Sequence, residues 1–310
     1  MEEGCCVPIV GYYNGEFVTP DSGIVPLDER GHQFGDGVYE VIRCYNGRPF
    51  LLDWHLDRLW MSLQAIRIVP PFTKNECASL IERLIAESRE PESSIYLQVT
   101  RGSAVRNHLF PEPTVKANVS ATVRPVTPQT SKAPGTLLMM ADERWANAWI
   151  KTINLLPNIL AKQTAHDMGA DEALLVRDGA MIESASSNLW FVRDNQLITA
   201  PADRYILNGI TRRFVMQLAN QLGIAVHESK LPVEELSAVD AIFITGTLTE
   251  VFPIQRVVTH PNLPYASLPA VKGSEPLAAD MCQVAWEARD LSLVGRLQSA
   301  FADAIATFSK

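Results

Sequence analysis

The sequence is poor in cysteine, histidine and lysine, and each scarcity excludes a class of protein. Its five cysteines, Cys5, Cys6, Cys44, Cys77 and Cys282, form no C-x-x-C pair and no regular framework. That removes the zinc-ribbon and disulfide-scaffold readings and predicts free thiols in a reducing compartment. The six histidines are scattered, so no metal site is expected. There is no G-x-G-x-x-G, Walker loop, H-E-x-x-H or G-x-S-x-G. Gly35-Asp36-Gly37 lacks a third glycine and precedes a strand pattern rather than a helix. No apolar run approaches the roughly 20 residues of a membrane helix. Met1-Glu2-Glu3 opens no secretory signal. A net charge of -8 disfavours nucleic acid, whose phosphates attract basic patches. The expectation is a cytoplasmic protein with neither nucleic acid nor membrane as partner.

What remains is globular. The 310 residues are 47% hydrophobic and 20% charged, enough for one large domain or two ordinary ones. The proline-rich stretch Arg124 to Gly135 is the best linker. It predicts a domain over 1–126, a linker over 127–134 and a second domain over 135–310. Apolar runs around Asn14-Gly15 and Asn46-Gly47 predict β-hairpins. Helical spacing predicts helices over 53–68 and 74–88, with strands at 94–102 and 118–126. The second half predicts a helix over 157–168, strands at 173–176, 189–192 and 240–247, a helix after Thr211 ended by Gly223, and a last helix over 295–308.

Lysine is the informative rarity. Only eight of the 27 basic residues are lysines, and Lys151 sits between Trp149-Ile150 and Ile153 with Leu155-Leu156 beyond. Burial disfavours an ammonium ion, and a free amine can form a Schiff base. Periodicity alone favours the plainer reading, a lysine snorkelling from a strand.

Four words of the sequence shift that balance. They are Ile150-Lys151-Thr152-Ile153-Asn154-Leu155-Leu156, Ile182-Glu183-Ser184-Ala185-Ser186-Ser187-Asn188, Leu207-Asn208-Gly209-Ile210-Thr211-Arg212, and Gly31-His32-Gln33-Phe34-Gly35-Asp36-Gly37-Val38-Tyr39-Glu40. In content and order they resemble the fold-type IV pyridoxal 5'-phosphate (PLP) aminotransferases. The resemblance runs from about residue 10 to 257. It implies an α+β, two-domain protein, with a smaller N-terminal α/β domain, a larger β-rich C-terminal domain and the cofactor in the cleft between them. It implies that Lys151 is the Schiff-base lysine and the catalytic proton shuttle. Glu183 would pair with the pyridine nitrogen, and a negative partner there keeps that nitrogen protonated. Arg58 would bind the phosphate, a task that suits a guanidinium. Ile210 and Thr211, at a helix start, would add backbone donors. Ser186, Gly246 and Thr247 complete the implied cofactor set, and Leu207 would pack against the ring.

Thr100-Arg101-Gly102-Ser103-Ala104-Val105-Arg106-Asn107-His108 points to a member of the family. Arg106 and His108, with Tyr39, resemble the carboxylate trap of D-amino-acid transaminases. Guanidinium, imidazole and phenol can all donate to one carboxylate. The resemblance implies a homodimer in which the Arg106/His108 loop crosses to the neighbouring subunit. It implies ping-pong, aldimine-based transfer from a D-amino acid such as D-alanine to a 2-oxo acid such as 2-oxoglutarate. The alternatives are an L-branched-chain or R-selective amine transaminase, or an aminodeoxychorismate lyase-like enzyme. The resemblance lapses between Val258 and Asp290, where a proline-rich stretch replaces the short hairpin usual in the family.

Overall fold

A computed structural model describes residues 10–127, 133–265 and 277–309. Cys5, Cys6, linker residues 128–132 and residues 266–276 of the unfamiliar stretch lie outside the described residues. The chain forms two compact units. The first comprises Met1–Gln129, Ile150–Asn154 and Phe308–Lys310, and the second comprises Thr130–Trp149 and Leu155–Thr307. The five residues around Lys151 therefore belong with the N-terminal unit, which a single linker does not anticipate.

The first unit is a six-stranded antiparallel sheet with helices on one face. Its strands are β1 (Val10–Tyr13), β2 (Glu16–Val18), β3 (Gly37–Tyr45), β4 (Arg48–Pro49), β5 (Ser93–Thr100) and β6 (Asn118–Pro125), in the order β2-β1-β6-β5-β3-β4. The Asn-Gly hairpins at 14–15 and 46–47 form as expected, both asparagines having positive φ. Alternation puts Val38, Glu40 and Ile42 of β3 with Ile95, Leu97 and Val99 of β5 on the buried face. Helices α2 (Leu52–Ala65) and α3 (Lys74–Ser88) pack there. A capping box starts α3: Thr73 accepts from the Glu76 N–H and Glu76 accepts from the Thr73 N–H. The stretch before β3, which reads as a plain glycine-rich approach, contains a short helix, α1 (Arg30–Phe34). Glu29 caps it and Gly35 ends it at φ 66°.

Residues 150–154 lie along β3. The Tyr39 N–H donates to the Lys151 carbonyl at 3.0 Å, and the Ile153 N–H donates to the Gly37 carbonyl at 3.2 Å. Gly37 makes that approach possible. A Cβ there would meet the Val99 carbonyl oxygen at 2.9 Å and the Ile153 side chain at 3.1 Å. The Gly35-Asp36-Gly37 motif is thus a packing device, not a nucleotide loop.

The second unit is a ten-stranded sheet that closes on itself. Its strands are β7 (Gly135–Ala141), β8 (Glu172–Arg177), β9 (Ala180–Ser184), β10 (Asn188–Arg193), β11 (Gln196–Thr199), β12 (Val226–Glu228), β13 (Leu231–Pro232), β14 (Ala241–Gly246), β15 (Glu250–Thr259) and β16 (Gln283–Glu287). The path β10-β14-β15-β7-β8-β9 returns to β10 through the pair Glu183↔Asn188. Closure leaves those six strands without a free edge. One core cluster holds Leu137, Met139, Leu174, Val176 and Phe191, and the alternate residues Leu138, Met140, Ala173 and Leu175 form another beneath α4 (Leu156–Asp167). Helix α5 (Ile210–Gln221) packs on β14 and β12, and in α6 (Ser292–Phe308) Phe301 meets Phe214 of α5 edge-on. Within the stretch where the resemblance lapses, β16 pairs antiparallel with β15. Part of the stretch that the sequence left unassigned is therefore a strand of the second sheet.

Gly37→Ala should cost about 1–3 kcal/mol through overpacking against β5 and residue 153. Denaturant unfolding checks this, and a variant of wild-type stability would mean that β3 and residues 150–154 are not in close contact.

Candidate active site

Each unit carries a cluster of buried or half-buried polar groups. In the first, Lys151 is half-buried at the edge of β3, its backbone N–H donating to Ser62 Oγ of α2 at 3.3 Å. Its Nζ lies 4.1 Å from the centre of the Tyr39 ring. The amine is thus set against an aromatic face.

Arg58 is buried on the inner face of α2, not on its solvent side. It donates to Glu40 through Nε and Nη2, both at 2.7 Å, and His55 Nδ1 lies 2.8 Å from the same carboxylate. Burial works to raise the Glu40 carboxyl, but Arg58 and His55 outweigh it and bring it down to about 2. Burial lowers the His55 pKa, with the Glu40 carboxylate opposing. Glu40 is a further buried member of this cluster. Its signal was present: a carboxylate at the inward position of the alternating run Val38-x-Glu40-x-Ile42 demands a buried partner.

Arg106 and His108 are exposed, and both rest on Phe34 of α1. The Arg106 guanidinium is 5.0 Å and the His108 ring 5.6 Å from the Phe34 ring centre. The loop is anchored from beneath. Asp36 accepts from Arg30 Nε at 2.8 Å and from Arg101 Nε and Nη2 at 2.8 and 2.9 Å, and Arg30 Nη1 donates to the Asn107 carbonyl at 2.7 Å.

In the second unit Glu183 is buried where the sheet closes. Its Oε1 accepts from Asn188 Nδ2 at 2.7 Å and from the Leu207 N–H at 3.3 Å, and its Oε2 accepts from Arg144. Arg144 also donates to Asp142, which takes a further bond from Arg177 at 3.0 Å. Burial pushes the Glu183 carboxyl up, with Arg144 pulling the other way. The Asp142 carboxyl, buried too, is held below its usual range by Arg144 and Arg177. Neither Asp142 nor Arg144 stood out in the sequence, because nothing local marks a pairing 39 residues apart in the chain.

Leu207 is pinned beside Glu183, since its carbonyl accepts from Asn188 Nδ2 at 2.8 Å. Ile210 and Thr211 are buried in the first turn of α5, and Gly209 offers no side-chain cap, so the first N–H groups have no partner within the helix itself. Gly246 ends β14, where a Cβ would come within 3.2 Å of Ser187 Oγ; Thr247 follows, half-buried. Ser186 stands apart: its hydroxyl donates to Glu172 Oε2 at 2.6 Å, a carboxylate shared with Lys162. That bond holds the 184–187 loop in place. Among the described residues no group of three or more histidine, cysteine, aspartate or glutamate side chains could hold a metal, and no helix is long and apolar enough to cross a membrane.

The Glu40 pairing predicts an acid-dependent stability. A carboxyl held at about 2 when folded and near its usual 4.5 when unfolded contributes stability above the unfolded value and loses it as pH falls through the folded one. Glu40→Gln should cost about 3 kcal/mol at pH 7, and its difference from wild type should shrink from about pH 4.5 towards 2. Denaturant titrations across that range test this, and a pH-independent difference contradicts it.

Comparison with known proteins identifies the family. The model described as amino-transferase class IV matches residues 37–257. The chain is 39% identical over 248 residues to a D-alanine aminotransferase of Listeria monocytogenes, covering 79% of this chain and 86% of that one. It is also 39% identical over 247 residues to a D-alanine aminotransferase of Bacillus licheniformis, covering 79% and 87%. Among solved structures, a T.th. branched-chain amino acid aminotransferase with pyridoxamine 5'-phosphate superposes with a TM-score of 0.80 at 24% identity, over 96% of this chain and 94% of that one. The branched-chain amino acid aminotransferase of Escherichia coli gives 0.75 at 26% identity, over 80% and 86%. The chain is a member of the class IV aminotransferase family.

Proposed function

We propose that the chain transfers the amino group of D-amino acids such as D-alanine to a 2-oxo acid such as 2-oxoglutarate, giving pyruvate and D-glutamate, with pyridoxal 5'-phosphate as cofactor. The observation that carries the substrate assignment is the 39% identity to D-alanine aminotransferases in a chain that has Tyr39, Arg106 and His108.

The donor set suits the cofactor. It offers an amine set against an aromatic ring, a buried guanidinium, a helix start with no side-chain cap, and a buried carboxylate held in place by Arg144 and Asn188. Lys151 would bond the aldehyde carbon. Arg58, the N–H groups of Ile210 and Thr211, and Thr247 would hold the phosphate. Because Glu40 already offsets the charge of Arg58, the helix start would take on part of that work. Glu183 would receive the pyridine N–H, while Arg144 and Asn188 keep its carboxylate oriented. Leu207 would lie against the ring, with Gly246 and the 184–187 loop beside it. When bound, pyridoxal phosphate supplies a ring that takes up the electrons left when the Cα proton departs.

Lys151 takes that proton at Cα and, as the ammonium, can give it back. Tyr39, Arg106 and His108 hold the α-carboxylate, which fixes the face of Cα turned to the Lys151 amine. The Arg106/His108 loop serves the neighbouring subunit of a homodimer. Its apolar residues Val105 and Leu109 are 84% and 74% exposed, which leaves them available to a neighbouring subunit. Buried free thiols at Cys44 and Cys77 suit a cytoplasmic protein.

Initial rates with D-alanine, L-leucine and (R)-1-phenylethylamine, each with 2-oxoglutarate, test the substrate. D-alanine should be the best donor, and Lys151→Ala should lower its rate on the order of 10³-fold or more. L-leucine as the better donor would overturn the D-specific reading. With aminodeoxychorismate as the substrate and no oxo acid present, catalytic release of pyruvate would mark a lyase instead. Mixing Lys151→Ala with Arg106→Ala subunits tests the shared loop. Dimers that exchange it regain roughly a quarter of wild-type activity, because half the dimers are mixed and each has one complete site. No recovery on subunit exchange would place the loop in its own subunit's site.

A further inference from the structure

Tyr39 touches two groups that the reaction scheme treats separately. Lys151 Nζ lies 4.1 Å from its ring centre. The ring of Tyr96 stacks on it, with centroids 5.4 Å apart and planes 26° from parallel. The β3–β5 register explains the second contact. Gln98 is directly opposite Tyr39 and Tyr96 is opposite Val41, so the two tyrosines are diagonal neighbours on one sheet face. That face is half-buried at Tyr39, Val41, Tyr96 and Gln98, whereas the opposite face forms the core.

Tyr96 is itself fixed at both ends. Its ring lies on Tyr39, and its hydroxyl donates to Gln98 Oε1 at 2.7 Å. Burial pushes that hydroxyl up to about 12, so it stays a neutral donor at ordinary pH. The core does not need this pair, since Ile95, Leu97 and Val99 supply the buried contacts of β5.

We propose that Tyr96, tied down by Gln98, is a positioning residue that fixes the Tyr39 ring beside the Lys151 amine and thereby sets the preference for one enantiomer. This rests on the functional reading above, in which Tyr39 helps hold the α-carboxylate. Enantiomer choice requires the carboxylate to be anchored in one direction while Cα–H faces the amine. A phenol free to change rotamer would relax that anchor and let either face present its hydrogen.

Tyr96→Leu removes the stack; Tyr96→Phe keeps the ring and loses the tether. Two readouts on holoenzyme separate the roles: the ratio of kcat/KM for D-alanine over L-alanine, and the pH midpoint of the visible band of the lysine-bound cofactor. Tyr96→Leu should lower the ratio about tenfold, the scale of one aromatic stack, and should shift the midpoint. Tyr96→Phe should recover most of both. A wild-type ratio and midpoint in Tyr96→Leu would overturn the proposal, as would an equal loss on both enantiomers with the ratio unchanged. If Tyr96→Leu does not fold, Tyr96→Phe and Gln98→Leu decide: a smaller fall in the ratio in both supports it, and wild-type ratios in both overturn it. Failure of wild-type protein to use D-alanine would refute the functional reading alone, because the midpoint shift still reports the hold of Tyr96 on Tyr39.

Discussion

The arrangement depends on five residues laid against a strand. Ile150–Asn154 belongs to the N-terminal unit, although residues 149 and 155 on either side belong to the other. Backbone bonds from Tyr39 to Lys151 and from Ile153 to Gly37 fix the lysine main chain to β3. A lysine proposed to form a Schiff base must deliver one nitrogen to one place. Anchoring its backbone to a sheet leaves only the side-chain torsions to settle, and the Tyr39 ring limits those. The space this needs comes from Gly37, where any side chain would strike β5.

The second unit meets a similar demand by closure. Pairing Glu183 with Asn188 joins β9 to β10 and completes the six-strand ring. The same two residues also bond through their side chains, so the carboxylate sits where the sheet is tied shut. A buried carboxylate is costly unless it is paired. Arg144 supplies that pairing, with Asp142 and Arg177 ordering the guanidinium behind it. In both units a buried charge network holds a residue proposed to act on the cofactor: Glu40–Arg58–His55 in one, Asp142–Arg144–Glu183 in the other.

Local structure was legible in the sequence because local forces set it. The expected helix over 74–88 coincides with α3, where a capping box and an apolar stripe agree. Strands β5 and β6 and helix α5 likewise follow from alternation and spacing. The short helix α1 was missed because five residues carry no period. Lys151 and Glu183 stood out through resemblance, whereas periodicity alone made Lys151 look structural. Their supporting charges did not stand out. Glu40 finds Arg58 and Arg144 finds Glu183 only once sheet and helix are assembled, since neither pair is a neighbour in sequence. The stretch after Val258 hid strand β16 because more than twenty residues of chain, from Thr259 to Gln283, separate it from its partner β15.

The central claim is that Lys151, and no other of the eight lysines, bonds the cofactor. Borohydride reduction of the pyridoxal phosphate-loaded protein, followed by peptide mass spectrometry, tests it most directly. The account predicts bleaching of the visible band and a single phosphopyridoxyl adduct on the peptide containing Lys151. An adduct on a different lysine, or a protein that takes up no pyridoxal phosphate, would contradict it.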